Sequence, residues 1–306
     1  MASVKALTLA ERISETADLV TVALDQLLPR AQGPEARLTE AMRYATLGPG
    51  RRLRPFFALE TAKMFDLDEG PVLRTACALE CIHAYSIVHD DLPCMAPEAG
   101  RRAHPSVHDA YDAATAVLAG DALQAIAFEI LAHPDTHEDG NVRAELVRRL
   151  AAAAGARGMV GGQMIDLLGP RDDFGGMARM QRLKTGALIA AAFEMPLVLA
   201  RASDGERHAL VGFAQDLGLA YQIMGDLLEV EGEEELLGRS PGRTRNGHGE
   251  RGLTKGKANY VSLLGADAAR ERLGVLAVQT KAHLDPFGER AVYLRDSVDF
   301  MLEGTA

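Results

Sequence analysis

Apolar side chains recur at the three- and four-residue spacing of amphipathic helices along most of the chain, and turns containing glycine or proline separate the runs. The pattern contains no convincing strand, so it predicts an all-α protein. No obvious boundary interrupts it, which predicts a single domain over residues 1–306. The predicted helices cover residues 3–28, 35–47, 72–92, 109–132, 141–168, 176–200, 205–230, 266–283 and 288–303, and a further helix is predicted to open at 255–260.

One long segment lacks the helical pattern. Residues 231–255 contain little apolar sequence beyond Leu236 and Leu237 and are rich in glycine and arginine. Such a composition cannot bury much surface, so we expect a mobile flap there.

Composition narrows the class of protein. The chain has 33 basic and 43 acidic residues, a net charge of −10, which disfavours a nucleic-acid-binding protein. Aromatic residues are only 5% and alanine-rich runs recur, as suits closely packed helices. No stretch reaches the roughly 18 uninterrupted apolar residues of a membrane span, and the first dozen residues carry charges. These features predict a cytoplasmic protein without a membrane span.

The three cysteines are Cys77, Cys81 and Cys94. Their number is odd and none has the Cys-x-x-Cys spacing of redox or zinc sites. We therefore expect them to be small buried hydrophobic residues in a reducing compartment.

An acidic pair ends the apolar run 72–92. Asp90 and Asp91 come just before Pro93, which tends to end or kink a helix. Negative charge at a helix C-terminus opposes the macrodipole, so compensating cations are expected: a divalent metal, or Arg101 and Arg102. Two solvated aspartates are the alternative interpretation.

A second acidic pair ends another apolar run. Asp226 and Glu229 share one face near the end of the predicted helix 205–230. In an antiparallel helix bundle, two acidic helix ends can face each other across one cavity and share a cation. Solvated charge remains the alternative, because Glu231 continues the acidity.

A glycine-containing turn delivers three arginines. Gly50 precedes Arg51, Arg52 and Arg54, and guanidinium groups match phosphate oxygens in bidentate fashion. The alternative is a solvated basic turn.

Glycines also cluster inside predicted helices. Each costs about 1 kcal/mol relative to alanine in a helix, so the cluster at 155–162 indicates close helix contact or space for a ligand. Gln163 and Asp166 follow it on one face. Gly186 lies mid-helix after Lys184 and could weaken the helix there and expose a carbonyl.

Several motifs occur in one order along nearly the whole chain: MRYATLGPGRRLRP, ECIHAYSIVHDDLPCM, LAGDALQ, GGQMIDL, KTGALI, LAYQIMGDLLEV and TKGKANYVSLLG. Together they resemble the trans-isoprenyl diphosphate synthases of the polyprenyl synthetase family, notably the bacterial short-chain farnesyl and geranyl diphosphate synthases. The resemblance implies an all-α bundle around a deep central cavity, usually a homodimer. It also implies a reaction in which an allylic diphosphate ionises, its carbocation adds to isopentenyl diphosphate and a proton is lost.

The resemblance also implies a site. The residues it assigns to catalysis are Asp90, Lys184, Thr185, Gln222 and Lys257. Those it assigns to substrate binding are Gly50, Arg51, Arg54, His83, Arg101, Arg102 and Tyr85. Magnesium would be held by Asp90, Asp91 and Asp226, with Glu229 as a substitute ligand.

Within these sets the roles differ. Arg101, Lys184 and Lys257 would contact the allylic diphosphate, and Arg102 would join the group that holds isopentenyl diphosphate. Gln222, Thr185 and backbone carbonyls near Lys184 would face the carbocation. The released diphosphate would take the proton, so no protein base is needed.

Two further positions carry expectations of their own. Taken alone, His83 is typical of a buried core histidine, although the resemblance places it at the isopentenyl diphosphate site. Tyr85 matches the aromatic position that closes the tail pocket, implying a product of about fifteen carbons.

The chain departs from the family pattern at two metal ligands. Ala96 stands where the first motif has its third aspartate, and Gly225 stands where the second motif has its first. Glu98 and Glu229 are the acidic residues that remain nearby. A methyl group or hydrogen cannot replace a carboxylate, so fewer magnesium ions than the family's usual three are expected.

The departures leave two classes of function open. One is a prenyltransferase, including an altered form that ionises the diphosphate and terminates as terpene synthases do. The other is a non-catalytic homologue that binds prenyl diphosphates or forms a heteromer with an active synthase.

Overall fold

The computed structural model describes residues 7–95, 105–169, 174–231 and 259–302, with the backbone alone described for 229–231. The predicted flap therefore lies outside the described residues, apart from Glu231 at the end of a helix.

The described residues form helices and no strand, which confirms the all-α prediction. The helices are α1 (Leu9–Leu27), α2 (Ala36–Leu47), α3 (Leu53–Lys63), α4 (Glu69–Asp90), α5 (Val107–Ala110), α6 (Ala113–Ala132), α7 (Gly140–Ala154), α8 (Met159–Leu168), α9 (Phe174–Gln181), α10 (Ala187–Leu199), α11 (Asp204–Glu231), α12 (Tyr260–Leu264), α13 (Ala266–Ala282) and α14 (Val292–Leu302). Short 3₁₀ turns lie at Pro134–Thr136 and Asp285–Ala291, and a π-helical turn lies at Arg182–Gly186.

Several parts of the helix prediction were wrong, including the run 109–132, which is broken between α5 and α6. The run 141–168 is two helices, because the chain leaves the helix at Gly155 and starts again after Gly158. The run 176–200 is interrupted by the π-helical turn. Helix α3 was not predicted, since its arginine-rich start and Pro55 were taken for a turn; Pro55 lies in the first turn, where a proline is tolerated.

The core is built around α4, which is apolar on most of its surface and is accordingly buried. It packs against α3, α6 and α10. A row of aromatic rings joins the next layers: Phe57 of α3 lies 5.1 Å from Phe193 of α10, which lies 5.3 Å from Phe213 of α11, measured between ring centroids. These contacts fix the helices that carry the candidate site residues.

A glycine permits α6 to cross α4 near the acidic pair. A Cβ on Gly120 would collide with the ring of His89, whose Nε2 lies 3.0 Å from the carbonyl oxygen of Val117. The end of α4 is thereby fixed against α6.

Helix α6 is the one helix of the described residues that is long and apolar enough to cross a membrane by length and composition. It packs against α4 and α2, and 44% of its most apolar window is buried. A core helix passes the same test, so the finding is weak evidence for a membrane span.

The cysteine prediction is confirmed for two residues and wrong for the third. Cys77 and Cys81 are buried in α4, and burial raises the pKa of Cys77 to about 12 and that of Cys81 well above its ordinary value. Cys94 is exposed, because it follows the end of α4 rather than continuing its apolar face.

Candidate active site

The turn before α3 is organised by a buried arginine. Arg52 adopts a left-handed backbone conformation, with φ of 49°. Its guanidinium donates hydrogen bonds to Glu80 at 2.6 Å and to the carbonyl oxygens of Thr46 at 2.6 Å and Gly48 at 2.8 Å. Arg52 therefore holds the turn against α4, and the alternative of a solvated basic turn is wrong for this residue.

The two flanking arginines line a cavity instead. Arg51, which is exposed, and Arg54, in the first turn of α3, border a cavity of about 220 Å³, here called the arginine cavity. Its wall includes Gly50, His83 and Tyr221. Four residues predicted to bind isopentenyl diphosphate are thus brought together.

Arg54 is enclosed at its guanidinium although the residue is only half-buried. Its Nε finds no hydrogen-bond partner among the described residues. Burial lowers the pKa of Arg54, while the nearby Glu80 and Tyr221 oppose that shift. The group keeps its charge, because an arginine pKa starts above 12. A buried cation of this kind favours an anionic ligand.

A second cavity, of about 310 Å³, adjoins the first and is here called the central cavity. Asp90, Lys184, Thr185 and Tyr85 line it. Its apolar wall comes from α8 and consists of Met159, Val160, Met164 and Leu167. Three residues line both cavities: Arg54, His83 and Ile87.

The π-helical turn presents Lys184 and Thr185 to the central cavity, and α8 packs against that turn. A Cβ on Gly162 would lie 2.6 Å from the Cα of Lys184, so only glycine permits this contact. The Nζ of Lys184 donates to Asp166 Oδ2 at 2.6 Å, and Asp166 is buried. The prediction that the glycine cluster marks close helix contact is confirmed at Gly162.

Asp226 is 5% exposed, and both of its oxygens accept hydrogen bonds. Oδ1 accepts from Gln222 Nε2 at 2.9 Å, and Oδ2 accepts from the backbone N–H of Tyr260 at 2.8 Å. The carboxylate therefore joins the end of α11 to the start of α12. Neither Asp226 nor Gln222 lines the central cavity as the described residues form it.

The acidic pair of α4 is divided between two spaces. Asp90 is the last residue of the helix and lines the central cavity. Asp91 is the C-cap and lines a different cavity, of about 540 Å³, between α2, α4 and the segment 105–107. Only Asp90 is placed beside Lys184 and Thr185.

Magnesium fits this arrangement only in part. The described residues contain no group of three or more histidine, cysteine, aspartate or glutamate side chains that could hold a metal. Magnesium is commonly bound by one or two carboxylates together with substrate phosphates. Asp90 suits such a shared ion, whereas a metal held by protein alone does not fit the described donors.

Several predicted residues lie outside the described part of the chain. They are Ala96, Glu98, Arg101, Arg102 and Lys257. The side chain of Glu229 is likewise outside the description, although its backbone belongs to α11.

Sequence reasoning gave no role to two residues of the cavity walls, Tyr221 and Gln163. Tyr221 sits beside Gln222 in a motif already noted, but its direction depends on how α11 packs against α10. Gln163 could have been found, because an amide among apolar residues and glycines on α8 is a polar group without an obvious purpose.

The model of the polyprenyl synthetase family matches residues 35–244. The chain belongs to the polyprenyl synthetase family. It is 38% identical over 261 residues to farnesyl diphosphate synthase of Escherichia coli (strain K12), covering 83% of this chain and 84% of that protein. It is 32% identical over 291 residues to geranylgeranyl diphosphate synthase of Cyanophora paradoxa, covering 94% of each.

Comparison with solved structures gives the same result. The crystal structure of an FPP/GFPP synthase from Zymomonas mobilis, in its apo form, superposes with a TM-score of 0.85 at 41% identity. The match covers 96% of this chain and 98% of that one. The resemblance to short-chain trans-isoprenyl diphosphate synthases is therefore confirmed, and the relatives support a transferase activity.

Proposed function

We propose that the chain condenses dimethylallyl or geranyl diphosphate with isopentenyl diphosphate to a prenyl diphosphate of about fifteen carbons. The observation that carries the proposal is the adjacency of the two cavities, which share Arg54 and His83 in their walls. A reaction between two substrates is accelerated when their reacting atoms are held side by side.

In this proposal the arginine cavity receives isopentenyl diphosphate. Arg51 and Arg54 supply guanidinium groups, which bind phosphate oxygens through paired hydrogen bonds. His83 and Gly50 complete the wall, and Arg102 is proposed to join them. The shared wall then directs the double bond of this substrate towards the central cavity.

The central cavity receives the allylic diphosphate. Its diphosphate lies beside Lys184 and Asp90, and its hydrocarbon tail lies along the apolar wall of α8. Arg101 and Lys257 are proposed as further contacts of the diphosphate. Asp90 would hold magnesium, with Asp91, Asp226 and Glu229 as the other proposed ligands, and the ion would supply positive charge to neutralise the leaving group.

Once the diphosphate leaves with the bonding electrons, the carbocation needs nearby oxygen atoms. Thr185 and backbone carbonyls of the π-helical turn supply them at the cavity wall. Gln222 is proposed to turn from Asp226 towards the same centre. The new carbon–carbon bond forms to isopentenyl diphosphate, and the released diphosphate takes the proton.

One observation favours a second candidate function, a homologue that binds prenyl diphosphates without condensing them. Gly225 leaves the second acidic motif with Asp226 as its described carboxylate, and both oxygens of Asp226 already accept hydrogen bonds. Such a protein would serve as a partner subunit, or would ionise the diphosphate and terminate as a lyase.

The experiment supplies labelled isopentenyl diphosphate, dimethylallyl or geranyl diphosphate and magnesium, and identifies the products. Ala96→Asp, Gly225→Asp and the double variant are assayed beside wild type. A Cβ at Gly225 meets no atom of the described residues within 4 Å, so the first carbon of an added side chain has space there. Condensation by wild type supports the proposed enzyme, and a cyclised or hydrolysed product indicates the lyase. Activity confined to the double variant overturns the proposed enzyme in favour of the binding homologue.

We also propose a cytoplasmic homodimer. Exposed apolar side chains on α6, at Val117 and Leu118, are 40% and 56% exposed and suit burial against a second copy. Light scattering of the purified chain, alone and mixed with an active synthase, distinguishes the homodimer from a heteromer.

A further inference from the structure

Gln163 of α8 is buried without satisfying its polar atoms. The residue is 9% exposed, and neither Nε2 nor Oε1 has a hydrogen-bond partner among the described residues. Nearly all buried polar side chains in proteins are paired, because an unpaired one destabilises the fold. The amide therefore requires an explanation outside the packing of the chain itself.

The position of the amide supplies that explanation. Gln163 lines the central cavity together with Lys184 and Asp90. Its neighbour Gly162 contacts the backbone of Lys184 so closely that any side chain would collide, which fixes α8 against the π-helical turn. One turn further on, Asp166 accepts a hydrogen bond from Lys184 Nζ. Gln163 is thus held beside the cation proposed to meet the diphosphate.

Water does not explain the amide. A cavity of about 310 Å³ has room for several water molecules, but both amide atoms are closed off from solvent in the empty protein, so they pair only if the side chain turns towards a bound group. When a ligand displaces ordered water, affinity is kept only if the ligand reproduces the hydrogen bonds. The hydrocarbon tail has no atom that does so, whereas a diphosphate has several acceptor oxygens for the Nε2 donor.

We propose that Gln163 binds the diphosphate of the allylic substrate, its amide N–H donating to a diphosphate oxygen beside Lys184. This deepens the proposed function by adding a residue to the diphosphate site. The proposal also separates Gln163 from a packing residue. The unpaired amide lowers the stability of the ligand-free protein and increases affinity once a ligand is bound.

The test replaces the amide by an apolar side chain of similar length, Gln163→Met, with Gln215→Met on the exposed face of α11 as the matched control. Two probes are titrated calorimetrically in the presence of magnesium: inorganic diphosphate and a non-ionisable thio analogue of geranyl diphosphate. Melting temperatures are measured without ligand.

We expect Gln163→Met to weaken both probes about tenfold, equivalent to about 1.4 kcal/mol, with a melting temperature equal to or above that of wild type. Gln215→Met should bind as wild type does. Unchanged affinity for inorganic diphosphate overturns the proposal, as does weaker binding accompanied by a lower melting temperature.

Failure of the Gln163 proposal can be distinguished from failure of the proposed condensation activity. Wild type that binds the probes through Gln163 yet forms no product disproves condensation and leaves the inference standing. Wild type that condenses substrates while Gln163→Met binds normally disproves the inference alone.

Discussion

Arg52 and Glu80 form a buried ion pair, with 2.6 Å between the guanidinium nitrogen and the carboxylate oxygen and both side chains at most 7% exposed. Removal of one partner leaves the other charge buried, so Glu80→Ala should destabilise the protein by about 3–5 kcal/mol in urea unfolding. Glu15→Ala, at a carboxylate 53% exposed, should change stability by no more than about 0.5 kcal/mol.

The same pair shapes the turn that carries Arg51 and Arg54. If Glu80→Gln, which keeps a hydrogen-bond acceptor, remains folded, its KM for isopentenyl diphosphate should rise more than its KM for the allylic substrate. Equal changes in both would contradict a link between the ion pair and the arginine cavity.

The close contact between Gly162 and the π-helical turn predicts that even an alanine at position 162 lowers the stability of the protein. Gly162→Ala places a methyl group 2.6 Å from the Cα of Lys184, so α8 must shift. We expect about 1–3 kcal/mol of destabilisation and a lower kcat. Gly274→Ala, where a Cβ meets no described atom within 4 Å, should be neutral or stabilising by up to about 1 kcal/mol. Similar melting temperatures for the two variants would show that the contact is not close.

Asp112, the N-cap of α6, is expected to make the stability of the protein depend on pH. Hydrogen bonds from the backbone and side chain of Thr115, and from Arg37, lower the pKa of Asp112 from 3.8 to about 2. Because the folded value is the lower one, the stabilisation is complete above the unfolded pKa and is lost as the pH falls from about 4 to 2. The difference in melting temperature between wild type and Asp112→Ala should shrink over that window.

A second variant identifies the source of this effect. Arg37→Ala removes one of the groups that lower the pKa of Asp112, so the loss of stability should be smaller and should be complete at a higher pH. A difference between wild type and Asp112→Ala that stays constant down to pH 2 would refute the assignment.

We expect the side chain of Tyr85 to limit the length of the prenyl product. The ring is 5% exposed, lines the central cavity and lies edge-on to His89, with 5.5 Å between ring centroids. Tyr85→Ala enlarges the cavity, so longer prenyl products are expected by chromatography after dephosphorylation. Tyr85→Phe keeps the ring and should keep the product length. The alanine variant loses core packing, at about 3–5 kcal/mol, and is best assayed at low temperature.

The helices could be predicted because their apolar spacing extends over many residues, as in α1, α4 and α11. The interruption at Arg182–Gly186 could not be, since Gly186 weakens a helix without specifying a π-helical hydrogen-bond register. Helix α3 was missed because proline in a first turn and proline in a loop look alike in sequence.

The candidate site likewise has features that the sequence could predict and features that it could not. The motifs predicted which side chains gather around the cavities, including Arg54, His83 and Lys184. They could not predict that Arg52, between two cavity arginines, turns inward, because that depends on a left-handed backbone and on Glu80, 28 residues away. Nor could they predict that Asp90 and Asp91 line different spaces, since that depends on where α4 ends.

The uneven burial of the three cysteines makes the natural chain suitable for spectroscopy. A maleimide dye reacts with thiolates, and the raised pKa values of Cys77 and Cys81 leave those two thiols almost fully protonated inside α4. Cys94 is exposed four residues beyond Asp90. Its neighbour Met95 lines the central cavity, so a fluorophore attached to Cys94, without any engineered cysteine, should report ligand binding there in real time.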